Sequence, residues 1–442
     1  MFQQDTTRSK SGISSRSSLT ERDLESTIIP EAVASKPEAP TAEDPPPDGG
    51  RIAWTQAFMA HLVIINTWGT VNSFGMFQTF YREFLFRPPS DISWIGSMQV
   101  FFLFVIGVLT GRLTDAGYFH HVFATGSVLV VLGSLAASFA TEYWQLFLSQ
   151  GVCIGLGMGG LFCPVMAVLS TYFRNKRNLA IGIAISGSAT GGMIYPVMVR
   201  QLLPKIGFGW TMRSMALVQL LTLCVANAFM RPRLGPRRSG PWVESSAFRE
   251  MPYLLFTIGI FFNFWGVYFA FYYIGPFSRD VLGFSYDQSI DILMIMNGVG
   301  AIGRVVPGFL ADLYLGPLNV VTPAACFCTI LLYTWNGISN ELGLYFWAVL
   351  YGIFGATVQG LFPAALASLT TDLSKAGTRM GMVYSIISFA NLTGPPIAGA
   401  LIRAADGRYT YAFAFGGSCL LLGTSFLVAC RISKGGFGMA KV

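Results

Sequence analysis

The chain has 442 residues, 53% of them hydrophobic and 12% charged, with a formal net charge of +7 at pH 7 and a pI near 9.0. Soluble domains carry roughly a quarter of their residues as Asp, Glu, Lys and Arg, so this composition excludes a water-soluble globular protein and points to repeated passage through lipid. The positive charge is not a nucleic-acid footprint, because no basic patch is interleaved with aromatics suited to base stacking.

In chain order, residues 1–50 are rich in Ser, Thr, Glu, Asp and Pro and close on Pro45-Pro46-Pro47-Asp48-Gly49-Gly50. Residues 1–53 are expected to form a disordered tail. The tail lacks the apolar core and small-residue cleavage site of a secretory signal, so the first helix is expected to direct insertion. Apolar stretches then recur at 54–79, 92–113, 122–140, 144–172, 179–200, 211–230, 252–275, 289–311, 318–337, 344–369, 380–402 and 409–430. Each approaches the roughly 20 residues that cross a bilayer as a helix. Lipid offers no partner to a backbone amide, so such segments must be helical. The expected fold is an all-α polytopic membrane protein of twelve transmembrane helices. A six-helix bundle over 54–230 is joined by a basic linker, 231–251, to a second over 252–430, and a short tail, 431–442, follows.

Cations decide the orientation. The loops on the side of the termini hold Arg112, Arg174, Lys176, Arg177, Arg231, Arg233, Arg237, Arg238, Arg249, Lys375 and Arg379, with Arg431, Lys434 and Lys441 beyond the last helix. The opposite loops hold fewer: Arg82, Arg87, Arg200, Lys205, Arg279, Arg403 and Arg408. The positive-inside rule therefore puts both termini in the cytosol; with no recognisable retention signal, the plasma membrane is the expected location.

Several motifs are structural on this reading. The seven cysteines all fall within helices without metal-ligand spacing, so neither a metal nor any other cofactor is expected. Gly155-Leu156-Gly157-Met158-Gly159-Gly160 follows no strand and is not a nucleotide loop; with Gly151 it gives four-residue glycine spacing suited to close helix packing. Gly394-Pro395-Pro396 reads as a kink.

The two halves repeat. Asn66-Thr67-Trp68-Gly69 returns 197 residues on as Asn263-Phe264-Trp265-Gly266, and Gly111-Arg112-Leu113-Thr114-Asp115 returns at the same offset as Gly308-Phe309-Leu310-Ala311-Asp312. Gly160-Leu161-Phe162 and Pro196 return 200 residues on, as Gly360-Leu361-Phe362 and Pro396. Two like bundles about a pseudo-two-fold axis along the membrane normal place a solute site between them and allow alternating access by rocking. The Asp of each Gly-x-Leu-x-Asp element, Asp115 and Asp312, sits where a cytosolic latch is needed. Each is expected to accept from amides at a helix N-terminus or to pair with Arg174, Arg177 or Arg379, with Arg112 beside the first.

Gly111-x-Leu113-x-Asp115 resembles the signature of the major facilitator superfamily between its second and third helices, although the basic end of that signature is Tyr118-Phe119-His120-His121 here. Within the superfamily the chain resembles the fungal branch of the monocarboxylate porter family over residues 48 to about 431. Asp48-Gly49-Gly50 with Trp54 resembles one signature of that family, with Arg51 and Ile52 departing from it. The run from Tyr172-Phe173-Arg174-Asn175-Lys176-Arg177 through Gly187-Ser188 resembles the second closely. The resemblance implies that Arg304 corresponds to the arginine that holds the substrate carboxylate. Insertion of a lone Arg into a membrane helix costs roughly 2.5–3.5 kcal/mol, so Arg304 must face a cavity, a partner or an anion; the structural alternative is a tether to carbonyls or to Asp312. The acid that the family places one turn earlier is Gly300, and its helix-1 lysine falls near Val71 or Asn72. The proton-coupling carboxylate is thus missing, and His61, which otherwise reads as a packing residue, is the one deep histidine available for a proton relay.

By the family architecture, helices 1, 4, 7 and 10 surround the pathway, with 5, 8 and 11 beside them. The polar candidates for orienting a solute are Asn66, Asn72 and Gln78 on helix 1, Asn263, Tyr268 and Tyr272 on helix 7, Asn297 on helix 8, Gln359 on helix 10, and Tyr384 and Asn391 on helix 11. Trp68, Phe74, Phe264 and Trp265 are expected to give aromatic walls for a larger amphipathic acid. A membrane enzyme would need a nucleophile, paired acids or metal ligands in one space, and none is visible; a nutrient sensor would need a signalling domain. The expected function is transport of a small organic anion or amphipathic metabolite, with protons as candidate coupling ion. Efflux of an acidic secondary metabolite is set against uptake of a monocarboxylate-like nutrient. The lipid bilayer is the expected partner, and nucleic acid is not.

Overall fold

The computed structural model describes residues 46–235, 243–370, 376–436 and 438. The expected tail over 1–53 therefore falls largely outside the described residues, as do the middle of the linker, Lys375 and most of the last residues of the chain.

The described residues are helical throughout, with no strand among them. Nine helical stretches among them are long and apolar enough to cross a membrane. Two of these each contain two helices joined at a glycine with positive φ, Gly117 (φ 92°) and Gly207 (φ 72°). Only glycine adopts such a conformation without a Cβ clash. The helices are numbered here as α1 (50–85), α2 (89–113), α3 (Phe119–Ala137), α4 (Tyr143–Tyr172), α5 (177–206), α6 (208–229), α7 (Met251–Leu282), α8 (Tyr286–Leu310), α9 (Pro317–Thr334), α10 (Glu341–Ser368), α11 (Ala376–Ala404) and α12 (Thr410–Gly435).

α1 is not a uniform α-helix. A π-helical turn occupies Ile65–Gly69, and the ladder is interrupted at Ser73, whose hydroxyl donates to the Gly69 carbonyl at 2.8 Å. A π turn inserts one extra residue and rotates everything beyond it. This rotation decides which α1 side chains face the centre.

α1–α6 pack among themselves, as do α7–α12, and the two sets meet along α2 with α11, α5 with α8, and α1 with α7. Glycines let these helices touch backbone to backbone. A Cβ at Gly75 of α1 would stand 2.6 Å from the Phe271 carbonyl oxygen of α7, and one at Gly182 of α5 would stand 2.5 Å from the carbonyl oxygen of Arg304 in α8. Any larger residue there would force the sets apart.

Candidate functional site

The central feature lies in α8, where Arg304 is 1% exposed although it is surrounded by apolar helices. Glycines make the space for it. A Cβ at Gly300 would stand 2.6 Å from Nη1 of Arg304, and one at Gly360 of α10 would stand 3.2 Å from its Cγ. The guanidinium therefore lies over Gly300, the position where the resembled family carries an acid. Nη2 donates to Oε1 of Gln359 in α10 at 3.3 Å, while Nε and Nη1 have no hydrogen-bond partner. The amide nitrogen of Gln359 and the hydroxyls of Tyr268 (α7) and Tyr384 (α11) are likewise buried and unpartnered. Each buried unsatisfied polar group costs about 1–3 kcal/mol. Two of the three guanidinium nitrogens are thus without an acceptor.

Aromatic rings from both helix sets pack together where the sets meet. Trp68 of α1 stacks on Tyr268 of α7 with ring centroids 5.8 Å apart and planes 11° from parallel. Phe104 (α2) and Phe162 (α4) meet Trp68 at 5.3 and 5.6 Å, and Phe264 (α7) meets Phe362 (α10) edge-on at 4.7 Å. Tyr384 contacts Phe104, Phe162 and Phe362.

The repeat does not carry side-chain direction. Trp68 points to the centre, but its counterpart Trp265 packs on Phe261, Phe262 and Phe415, away from the box. The π turn in α1 accounts for the difference: it shifts the phase by one residue, and in the regular helix α7 it is Phe264 that faces inward. Asn66 is taken up inside the first set, bonding to the Leu62 carbonyl (2.7 Å), Thr222 (2.8 Å) and Tyr195 (2.8 Å). Asn263 bonds to the Gly259 carbonyl and faces Gly423 of α12. Asn66, expected to orient solute, thus ties α1 to α5 and α6 of its own set, whereas Asn263 bonds back to its own helix and leaves its side-chain oxygen unpartnered.

Of the remaining candidates, Asn72 is buried with both side-chain atoms unpartnered, and Gln78 is buried nearby on α1. Tyr272 rests against Phe74 at the α1–α7 contact, Asn297 faces Gly192 where α8 meets α5, and Asn391 bonds back to the Ile387 carbonyl. His61 meets the Ile183 carbonyl at 2.9 Å and the hydroxyls of Ser186 and Thr190 at 3.3 Å, the pattern of a packing residue. Phe104 had no distinguishing signal in the sequence, whereas Phe162 and Phe362 are the last residues of a repeated tripeptide.

Polar contacts close the bundle at both ends. At the proximal end, where α1 begins, the carboxylate of Asp312 accepts from the backbone N–H groups of Asn178 (3.3 Å) and Leu179 (2.8 Å) in the first turn of α5. Asp48 accepts from three successive amides, Arg174 (2.8 Å), Asn175 (2.9 Å) and Lys176 (3.3 Å), and Trp54 lies on Phe173 at 5.1 Å. The two stretches that resemble family signatures are therefore one folded unit. Burial works to raise the pKa of Asp48, but these amides outweigh it and hold the carboxyl below its ordinary value.

Arg174 takes part through its backbone, and Arg177 donates from Nε to the Phe173 carbonyl. Arg379 does not serve an aspartate latch. Its guanidinium is held by Glu244 (3.2 Å) and Glu250 (2.5 Å), which precede α7. Arg112 and Asp115 are half-buried near the end of α2. At the distal end, Arg200 of α5 pairs with Asp291 of α8 at 2.6 Å, and Arg82 of α1 approaches Asp280 of α7 at 3.5 Å.

Comparison with known proteins fits this geometry. Residues 57–370 match the Major Facilitator Superfamily model. An MFS-type transporter of Gibberella zeae is 48% identical over 92% of this chain and 93% of that protein. The MFS-type transporter dbaD of Emericella nidulans is 37% identical over 91% of each chain. The aspyridones efflux protein apdF of the same organism is 35% identical over 85% of this chain and 77% of its own. The structure of the human organic anion transporter MFSD10 (TETRAN) superposes with a TM-score of 0.65 at 14% identity, covering 86% of this chain and all of that one, which is a likeness of fold. The chain belongs to the major facilitator superfamily and is a multi-pass membrane transporter, not an enzyme.

Proposed function

We propose that this protein is a secondary active transporter that moves a small carboxylated organic solute, an acidic secondary metabolite, out of the cell by alternating access. One observation carries the reading: Arg304 is buried where the two helix sets meet and has two nitrogens without a partner. A buried charge left without its partner is destabilising by about 3–5 kcal/mol, and a solute carboxylate supplies that partner.

In this reading the twelve helices are twelve passes in two six-helix halves, joined by the linker 231–251. Both termini and the proximal latches lie in the cytosol, and the membrane is the plasma membrane. Asp312 on the amides of α5 and Arg200 with Asp291 are exposed or half-exposed contacts, each worth roughly 0.3–1 kcal/mol. Contacts of this size are ones that a solute's preference for one state can help to break. The two signature-like stretches support a place in the fungal branch of the monocarboxylate porter family. Similarity to an aspyridones efflux protein supports the outward direction.

The test is export of organic acids by cells carrying the wild type or Arg304→Ala, with surface delivery measured in parallel. The variant is expected to reach the membrane and to export no anionic substrate. Equal export by both sinks the proposal, and net import of the acid by the wild type replaces efflux with uptake.

A further inference from the structure

The charges buried in the described interior are few: Arg304 at the centre, and Arg379 with Glu244 at the proximal end, where they pair with each other. Among the described residues, then, no buried carboxylate accompanies Arg304. At the seam stands the Trp68–Tyr268 stack, one ring from each helix set, nearly parallel. The hydroxyl of Tyr268 is buried and unpartnered. The stack thus spans the seam between the two sets and continues through Phe264 (5.7 Å from Tyr268) to Phe362 of α10, two residues from Gly360, the glycine against the Arg304 side chain.

We infer that Trp68 and Tyr268 form a slot for a flat conjugated ring, and that the ligand is a planar monoanion whose carboxylate or enolate oxygen meets Arg304 while its ring lies between the two side chains. This inference rests on the reading of Arg304 as the anion anchor and adds the shape, the charge and the selecting residues. The physics is direct. A ring inserted between two others needs about two van der Waals separations of roughly 3.5 Å each. The present centroid distance of 5.8 Å is shorter than that, so loading must move α1 away from α7. A saturated ring of similar size gains no stacking on either face. The anion leaves the loaded site neutral without a proton-binding group of the protein, so the charge balance comes from the solute.

Purified protein in lipid nanodiscs, titrated calorimetrically with 2-naphthoate, decahydro-2-naphthoate and 2-naphthamide, tests this. The wild type is expected to bind naphthoate about fivefold or more tightly than the decahydro acid, and not to bind the amide measurably. Trp68→Leu should bring the ratio of the two acids close to one, and Trp68→Phe, which keeps a ring, should restore most of it. If both acids bind alike in the wild type and Trp68→Leu leaves their ratio unchanged, while Arg304→Gln abolishes both, the slot is refuted and the anion anchor stands. If Arg304→Gln binds naphthoate as the wild type does, the anchor itself is wrong and the slot falls with it. Absence of saturable naphthoate binding overturns the inference as well.

Discussion

Gly300→Asp is the most informative perturbation, because it installs a carboxylate one helical turn before Arg304. The new Cβ would lie 2.6 Å from Nη1 of Arg304 and 3.2 Å from the Ala356 methyl, with the Gly352 carbonyl oxygen at 3.4 Å. The nearest obstacle is the end of a flexible side chain, which can move aside and then pair with the carboxylate. Two consequences of opposite sign follow. Nε and Nη1, now unpartnered, gain an acceptor, which stabilises the fold by about 1–3 kcal/mol. The solute anion meanwhile faces a guanidinium already neutralised and must approach a like charge. Loss of about 2 kcal/mol or more of binding, roughly 30-fold in affinity, is expected at neutral pH. The assay is paired: melting temperature in detergent, and affinity for an exported acid at neutral pH. Unchanged affinity at neutral pH, in a variant that folds, would refute the claim that Arg304 receives the solute anion.

Other outcomes follow from the same geometry. Asp48→Asn should remove about 1 kcal/mol, since the carboxylate accepts from three amides but is partly solvated; chemical denaturation of both proteins checks it. Because the pKa of Asp48 is lowered on folding, its contribution is complete above the unfolded value of 3.8 and fades as pH falls below it, so the two proteins should converge in acid. Arg379→Met should lower stability by roughly 3 kcal/mol because it removes the cation from its buried ion pair with Glu244, and adding Glu244→Gln should recover part of the loss in a double-mutant cycle. Gly75→Leu, placed against the Phe271 carbonyl, should hold the distal end of α1 away from α7 and cut transport strongly while leaving expression intact; cysteine cross-linking across that contact reads the separation.

The helices and their repetition were legible because lipid imposes a length and an apolarity that few other settings demand. Arg304 was legible for the same reason, as a charge set in an apolar run. What the sequence hid was phase. Asn66 and Trp68 recur as Asn263 and Trp265, yet a single π turn over Ile65–Gly69 rotates one copy relative to the other, and no side chain in that pentapeptide announces it. The repeated asparagines also differ in use: Asn66 ties α1 to α6 through Thr222, while Asn263 bonds back to the Gly259 carbonyl of its own helix. Gly300 read as a lost partner; the structure adds that the guanidinium occupies its space. The partners of Arg379, Glu244 and Glu250, lie more than a hundred residues away in a basic linker, where charge counting looked only for cations.

The central claim, export of an organic anion through Arg304, is tested most directly by metabolite profiling of cells and medium from a deletion strain complemented with the wild type or with Arg304→Gln. The account predicts one acidic compound retained inside the deletion strain, returned to the medium by the wild type and not by the variant. Full restoration of export by Arg304→Gln, or a solute carrying no acidic group, would contradict it.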